Sequence, residues 1–154
     1  TYLENEPLGR VTSVPLLHEH YCLITAKGNA FADRETVTWQ EAGNIRLCLL
    51  TADMQNRRII NRHFAEAGVT VEPSLEANSM IVLFSHVRTG RWSSIMPRNV
   101  AKSFGFPDEI SIVSLVDPEP HHTVGLVATH REPFTPLVSA LLHEARVLAE
   151  KGIY

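Results

Sequence analysis

An α/β fold with a mainly parallel sheet is what this chain predicts, and three observations carry that expectation. Short apolar, strand-like runs alternate with helical patterns along most of its length. The helical segments repeat apolar residues at 3.6-residue spacing and stop at glycines. The run from Ile45 to Leu50 is apolar apart from Arg46, as in strands buried on both faces. Strands alternating with helices are the pattern of helices packed on a parallel sheet.

Taken in order, Thr1 to Leu3 opens the chain with apolar Tyr2 and Leu3, and Glu4-Asn5-Glu6-Pro7 reads as a turn or linker. Strands are predicted from Val11 to Val14 and from Tyr21 to Ala26, the second bounded by Lys27-Gly28-Asn29. Thr38 to Gly43 predicts one short helical turn. After the strand at 45–50, a helix from about Gln55 to Ala67 sets Ile59, Ile60, Phe64 and Ala67 on one side, with Gly68 at its C-cap. The next strand is expected from Val69 to Leu75, where Pro73 argues for an edge position or a late entry. Met80, Leu83, Phe84 and Val87 fall at i, i+3, i+4 and i+7, with Gly90 beyond the helix end. Trp92 to Met96 predicts a strand, and Pro97 suits the first position of a helix ending near Gly105. Ile110 to Val116 and Thr123 to Thr129 predict two more strands around Asp117-Pro118-Glu119-Pro120. Thr135 caps the last helix and Pro136 opens it. Val138, Leu141, Leu142, Ala145, Leu148 and Ala149 form its apolar face, and Gly152 ends it.

Size and composition narrow the function. A chain of 154 residues suffices for one ordinary domain or two small lobes. Hydrophobic content of 44% and charged content of 20% are those of a soluble globular protein. With 14 basic and 17 acidic residues the net charge is −3, so no basic field favours nucleic acid. No apolar run approaches the roughly 20 residues that span a bilayer. Cys22 and Cys48 sit in apolar strand-like runs and read as reduced core thiols, which favours the cytoplasm. His18 and His20, and His121 with His122, do not make the converging set of three or four ligands that a metal needs. G-x-S-x-G, G-x-x-x-x-G-K-[ST] and G-x-G-x-x-G are all absent, so neither catalysis nor a cofactor is expected.

What remains is a set of polar strand-to-helix turns. In a parallel sheet such turns gather at the carboxyl edge. Helix starts leave backbone N–H groups unpaired, which suits a polar or anionic small ligand. Thr51, Gln55 and Asn56 stand at one such turn, with Met54 as an apolar lip, and Asn78 and Ser79 stand at the other. For each, ordinary capping or packing is the competing role. Arg58, Arg62 and Glu66 form a solvated i, i+4, i+8 stripe; Arg57 remains a further candidate.

The ordered set Phe64, Ala67, Gly68, Glu76, Asn78, Ser79, Gly90, Met96 and Pro97, with Val14-Pro15-Leu16 and Tyr21-Cys22-Leu23-Ile24-Thr25 before it, resembles the effector-binding region of LysR-type transcriptional regulators. The resemblance covers nearly the whole chain. It implies periplasmic-binding-protein-like (type II) α/β lobes, with the second lobe complete and the first partial. Residues 1–26 would be a remnant of lobe I and the first crossover, 27–118 the effector-binding lobe II, and 119–154 the second crossover and C-terminal helix of lobe I. It further implies a small polar or anionic effector held between lobes, DNA contact only through a helix-turn-helix absent from this chain, a homo-oligomer and no membrane partner. Many members have Gly-x-Gly where this chain has Gly90-Arg91-Trp92, so Trp92 is expected to reshape the pocket with roughly 200 Å² of side chain. The alternative on the same fold is an extracytoplasmic solute-binding protein of a transporter. With lobe I incomplete, the apolar faces of the last helix and of Val11 to Val14 are expected to lack partners and to promote association.

Overall fold

The computed structural model describes residues 1–4, 8–119 and 122–152. Asn5, Glu6, Pro7, Pro120 and His121 of the expected turns and histidine pair lie outside them. The strands are β1 (Val11–Glu19), β2 (Tyr21–Ala26), β3 (Thr36–Thr38), β4 (Cys48–Leu50), β5 (Leu75–Ala77), β6 (Ser94–Pro97), β7 (Ile110–Val116) and β8 (His122–Thr129). The helices are α1 (Trp39–Ala42), α2 (Gln55–Glu66), α3 (Met80–Val87), α4 (Arg98–Ser103) and α5 (Pro136–Lys151). They divide into two compact units, one within residues 20–120 and one formed by 1–19 with 121–154.

In the unit of residues 20–120 the sheet order is β3-β7-β2-β6, and a parallel bridge from Leu47 to Ser93 sets β4 beside β6. β5 then pairs with β4 in parallel. β2 is antiparallel to both β6 and β7, while β3 is parallel to β7. β3, β4, β5, β6 and β7 therefore run one way and β2 alone runs against them, which is the mainly parallel sheet expected. The opposed β2 brings its first residue, Tyr21, level with Pro97 at the end of β6. One sheet edge thus gathers Tyr21, Thr38, Leu50, Ala77, Pro97 and Val116.

Side chains alternate across a strand, so each face has its own core. Cys22, Ile24, Cys48, Leu50 and Met96 pack with Leu83 and Val87 of α3 and Ala101 of α4. Tyr21, Leu23, Leu49 and Ile95, also buried, have the opposite parity. There Trp39 of α1 meets Phe64 of α2 edge-on, 5.2 Å between centroids, and stacks on His63 at 4.8 Å. Burial lowers the pKa of His63 below the ordinary histidine value, although Glu66 at 3.1 Å opposes the shift. Neither cysteine is in a disulfide and both are buried, and burial pushes the Cys48 thiol up to about 11.

Several boundaries differ from the expectation. No ladder runs from Val69 to Ser74; β5 begins only at Leu75. Pro73 has no N–H to donate, and the first bond to the neighbouring strand comes from Ser74 N–H to Leu47 O at 2.9 Å. Pro97 is the N-cap of α4 rather than its first residue. β3 was not foreseen, and β1 runs to Glu19. β2 is the middle of this sheet, and the compact unit that holds it begins at His20.

In the other unit β1 pairs antiparallel with β8, with a register shift between Pro15 and Leu17. Thr1 to Leu3 run along β8, where Gly125 N–H donates to Thr1 O at 2.8 Å and Leu3 N–H to Thr123 O at 2.9 Å. A Cβ at Gly125 would lie 2.7 Å from both Leu3 Cδ1 and Val14 O, so only glycine fits there. α5 packs Leu142 and Ala145 on Val14, joined by Leu16, Leu126, Ala128, Phe134 and Val138. Gly152 closes α5 in the left-handed conformation at φ 61°, as expected of a C-terminal glycine. Two paired strands cover too little of a 16-residue helix. Leu137 stays 80% and Leu141 54% exposed, and an apolar cavity of about 290 Å³ opens beside β8 and α5.

Candidate functional site

The carboxyl edge of the larger sheet assembles most of the candidate residues. Thr51 follows β4, its N–H donating to Ala77 O at 3.1 Å, and its Oγ1 is buried without a hydrogen-bond partner. Three residues on, Met54 is the N-cap of α2, so Gln55 and Asn56 are the first two residues of that helix. On the adjacent strand, Asn78 follows β5 and Ser79 is the N-cap of α3. Leu50 and Ala77 are register partners, so both helices start from one edge. Neither start has a side-chain cap hydrogen bond or an acidic residue in its first turn. Neither first turn carries an acidic side chain to meet its N–H groups and the positive end of the helix dipole.

Tyr21 joins this group, and its sequence context did not mark it as a site residue. Its hydroxyl donates to Asn56 Oδ1 at 2.8 Å. Only the strand order reveals this, because β2 must run against its neighbours for its first residue to reach the carboxyl edge. Tyr21 also lines a cavity of about 260 Å³ with His20, Arg98, Ser114, Leu115, Val116 and Glu119. In it the Arg98 guanidinium donates to the Ser114 hydroxyl. This cavity is smaller than the apolar one beside α5, but its charged and hydroxyl groups suit a polar ligand better.

Two other candidates go elsewhere. Trp92 precedes β6 and so lies at the amino edge of the sheet, the opposite end from Thr51, Gln55 and Ser79. It packs on the α3 face, its ring 5.4 Å from that of His86. Arg57 is buried as a structural clamp rather than a ligand group. Its Nη1 donates to Leu50 O at 2.6 Å and pairs with Glu76, and its Nε donates to Asn61 Oδ1 at 2.8 Å. It thereby ties the carboxyl ends of β4 and β5 to the start of α2. Among the described residues no group of three or more His, Cys, Asp or Glu could hold a metal ion.

Comparison with known families settles which fold this is. The profile of the LysR substrate binding domain matches residues 2–149. The chain belongs to that family. LysR substrate-binding domains are parts of transcriptional regulators rather than an enzyme family, which favours a sensor over a transporter component. A probable nitrogen assimilation transcriptional activator of Synechococcus elongatus is 23% identical over 83 residues, or 54% of this chain. That stretch covers only 27% of the activator's length. The fold is shared with the effector binding domain of QuiR in complex with shikimate, at a TM-score of 0.78 and 18% identity, over 98% of this chain and 70% of that one. It is shared too with the Synechocystis CcmR regulatory domain in complex with 2-PG, at 0.82 and 14% identity, over 97% and 72%. Among the described residues no helix of this LysR domain is long and apolar enough to cross a membrane.

Proposed function

We propose that this LysR domain is the ligand-sensing part of a bacterial transcriptional regulator, and that its effector is a small polar or anionic metabolite bound at the carboxyl edge of the unit within residues 20–120. The observation that carries the reading is the pair of open helix starts after β4 and β5, with Thr51 Oγ1 buried and unmatched beside them. Shikimate in the QuiR domain and 2-PG in the CcmR domain support a small-molecule effector in this fold. Thr51, Met54, Gln55, Asn56, Asn78 and Ser79 are the proposed contacts, with Tyr21 orienting Asn56.

In the whole regulator the effector acts by its difference in affinity for two arrangements of the protein, since it can shift their equilibrium by no more than that. DNA is then contacted by a helix-turn-helix outside this chain, in a cytoplasmic homo-oligomer with no catalytic step. The exposed Leu137, Leu141 and Leu148 of α5 support association. A thermal-shift screen of small carboxylates, inorganic anions and amino acids on the full-length regulator tests the effector class. Stabilisation by at least one, lost in Thr51→Val, is expected; no response to any polar ligand counts against it.

A further inference from the structure

Arg34 and Arg57 each pair with a carboxylate, that of Glu41 and that of Glu76. Arg98 differs in kind: among the described residues its side chain bonds only the Ser114 hydroxyl. A neutral hydroxyl fixes a guanidinium without cancelling its charge, and it leaves most of the five N–H donors of the fork unused. The strand order shows how the group is held. Arg98 follows Pro97, the register partner of Tyr21, and its backbone N–H donates to His20 O at 2.7 Å. Ser114 lies on the other side of β2, as the register partner of Cys22. The side chain therefore reaches from the end of β6 across the start of β2 to β7, and with Ser114, Leu115 and Val116 it lines the cavity of about 260 Å³ there. While accepting from Arg98, the Ser114 hydroxyl keeps its own O–H to donate, so both groups can act on one anion. Glu119 of the same cavity is exposed and engaged in an interaction of its own, so it takes no part here. One guanidinium balances about one negative charge, which suits a carboxylate better than a phosphate group carrying roughly 1.5 to 2. The volume, just below the roughly 300–1,000 Å³ of drug-sized pockets, limits the ligand to a few carbons.

We infer that Arg98 and Ser114 together hold the charge of the effector, so that the ligand class narrows from polar or anionic to a small carboxylate. This rests on the reading of the carboxyl edge as the effector site and adds a specificity-determining pair to it.

Titration of the isotope-labelled chain with propionate, propionamide and inorganic phosphate, followed by the amide NMR signals of Tyr21, Arg98 and Ser114, tests it. Propionate and propionamide match in size and differ in charge. Propionate is expected to shift those signals and to bind about ten- to a hundredfold more tightly than propionamide, the worth of a charged hydrogen-bond pair. Phosphate should bind more weakly than propionate. Arg98→Gln should bring propionate down to the level of propionamide. Arg98→Lys, which keeps the charge but not the fork, should retain only part of the difference. Ser114→Ala should weaken propionate by less than Arg98→Gln does. The comparison of propionate with propionamide on the parent chain holds whether or not each variant folds. Equal binding of those two probes overturns the inference, as does propionate binding that Arg98→Gln leaves unchanged. Phosphate outcompeting propionate overturns the carboxylate class. Shifts confined to Thr51, Gln55 and Ser79 and indifferent to Arg98 overturn the inference while leaving the effector reading intact. No shift anywhere overturns both.

Discussion

α1 and α5 begin under side-chain caps, whereas α2 and α3 do not. Thr38 and Glu41 satisfy each other's backbone N–H groups at the start of α1, and Thr135 accepts from Val138 N–H at the start of α5. α2 starts from Met54, which has no side-chain acceptor, and Ser79 leaves its hydroxyl out of the start of α3. A cap is worth about 1 kcal/mol, so leaving α2 and α3 without one, like α4 after Pro97, is a local sacrifice of stability. The uncapped starts of α2, α3 and α4 lie on the sheet edge where a ligand can supply the missing acceptors; the capped start of α1 lies there too, but neither capped start is among the candidate ligand contacts. The difference separates helix ends that only have to be stable from ends kept open for binding.

The uncapped α2 must be anchored by something other than a cap, and Arg57 is that anchor. Arg57→Met removes the bonds to Leu50 O, Asn61 and Glu76 together. Glu76 is 44% exposed and regains water, so the cost falls at about 2 kcal/mol rather than the higher figure for a fully buried pair. Urea unfolding is the measurement. A change within a few tenths of a kcal/mol would mean that α2 does not depend on the clamp.

At the capped starts the expected effects are smaller. Thr38→Ala should cost about 1 kcal/mol, because it removes the hydroxyl that caps Glu41 N–H. Thr135→Ala should cost about 0.5 kcal/mol, since its bond is long at 3.4 Å and exposed. The two variants separate if their denaturant midpoints are read side by side. Glu41 adds a pH signature to the α1 cap. Arg34 first, and then the Thr38 backbone, hold its carboxyl at about 2, against 4.5 unperturbed. The folded value is depressed, so the stabilisation is present above 4.5 and is lost as the pH falls through about 2. The melting-temperature gap between the parent chain and Glu41→Gln should therefore close across that window and be flat above it.

Much of this was legible in the sequence because it is local. α2, α3 and α5 announce themselves by period and by Gly68, Gly90 and Gly152, and β2 and β7 by short apolar runs with polar bounds. The two open turns follow from those elements. Strand order is different, because it is set by pairings between distant segments. Nothing near Tyr21 says that β2 runs against its neighbours, and nothing near Arg98 or Ser114 says that β6 and β7 flank β2. The same gap misplaced Trp92, since its end of the sheet depends on the direction of β6. Arg57 read as a candidate ligand contact because helix periodicity does not show that the carboxyl ends of β4 and β5 converge beneath it.

Ser79→Ala should have the smallest effect and discriminate most. Serine is among the best N-cap residues, and on sequence alone its loss from α3 would be expected to cost about 1 kcal/mol. In the structure its side chain makes no cap bond, so the substitution should leave the unfolding free energy unchanged to within a few tenths of a kcal/mol. Its consequence should instead show in ligand response, as a weaker thermal shift from whichever polar effector stabilises the parent. A loss of stability equal to that of Thr38→Ala would mean that Ser79 caps α3 in solution. The start of α3 would then resemble that of α1, and of the two turns after β4 and β5 only that of α2 would remain open.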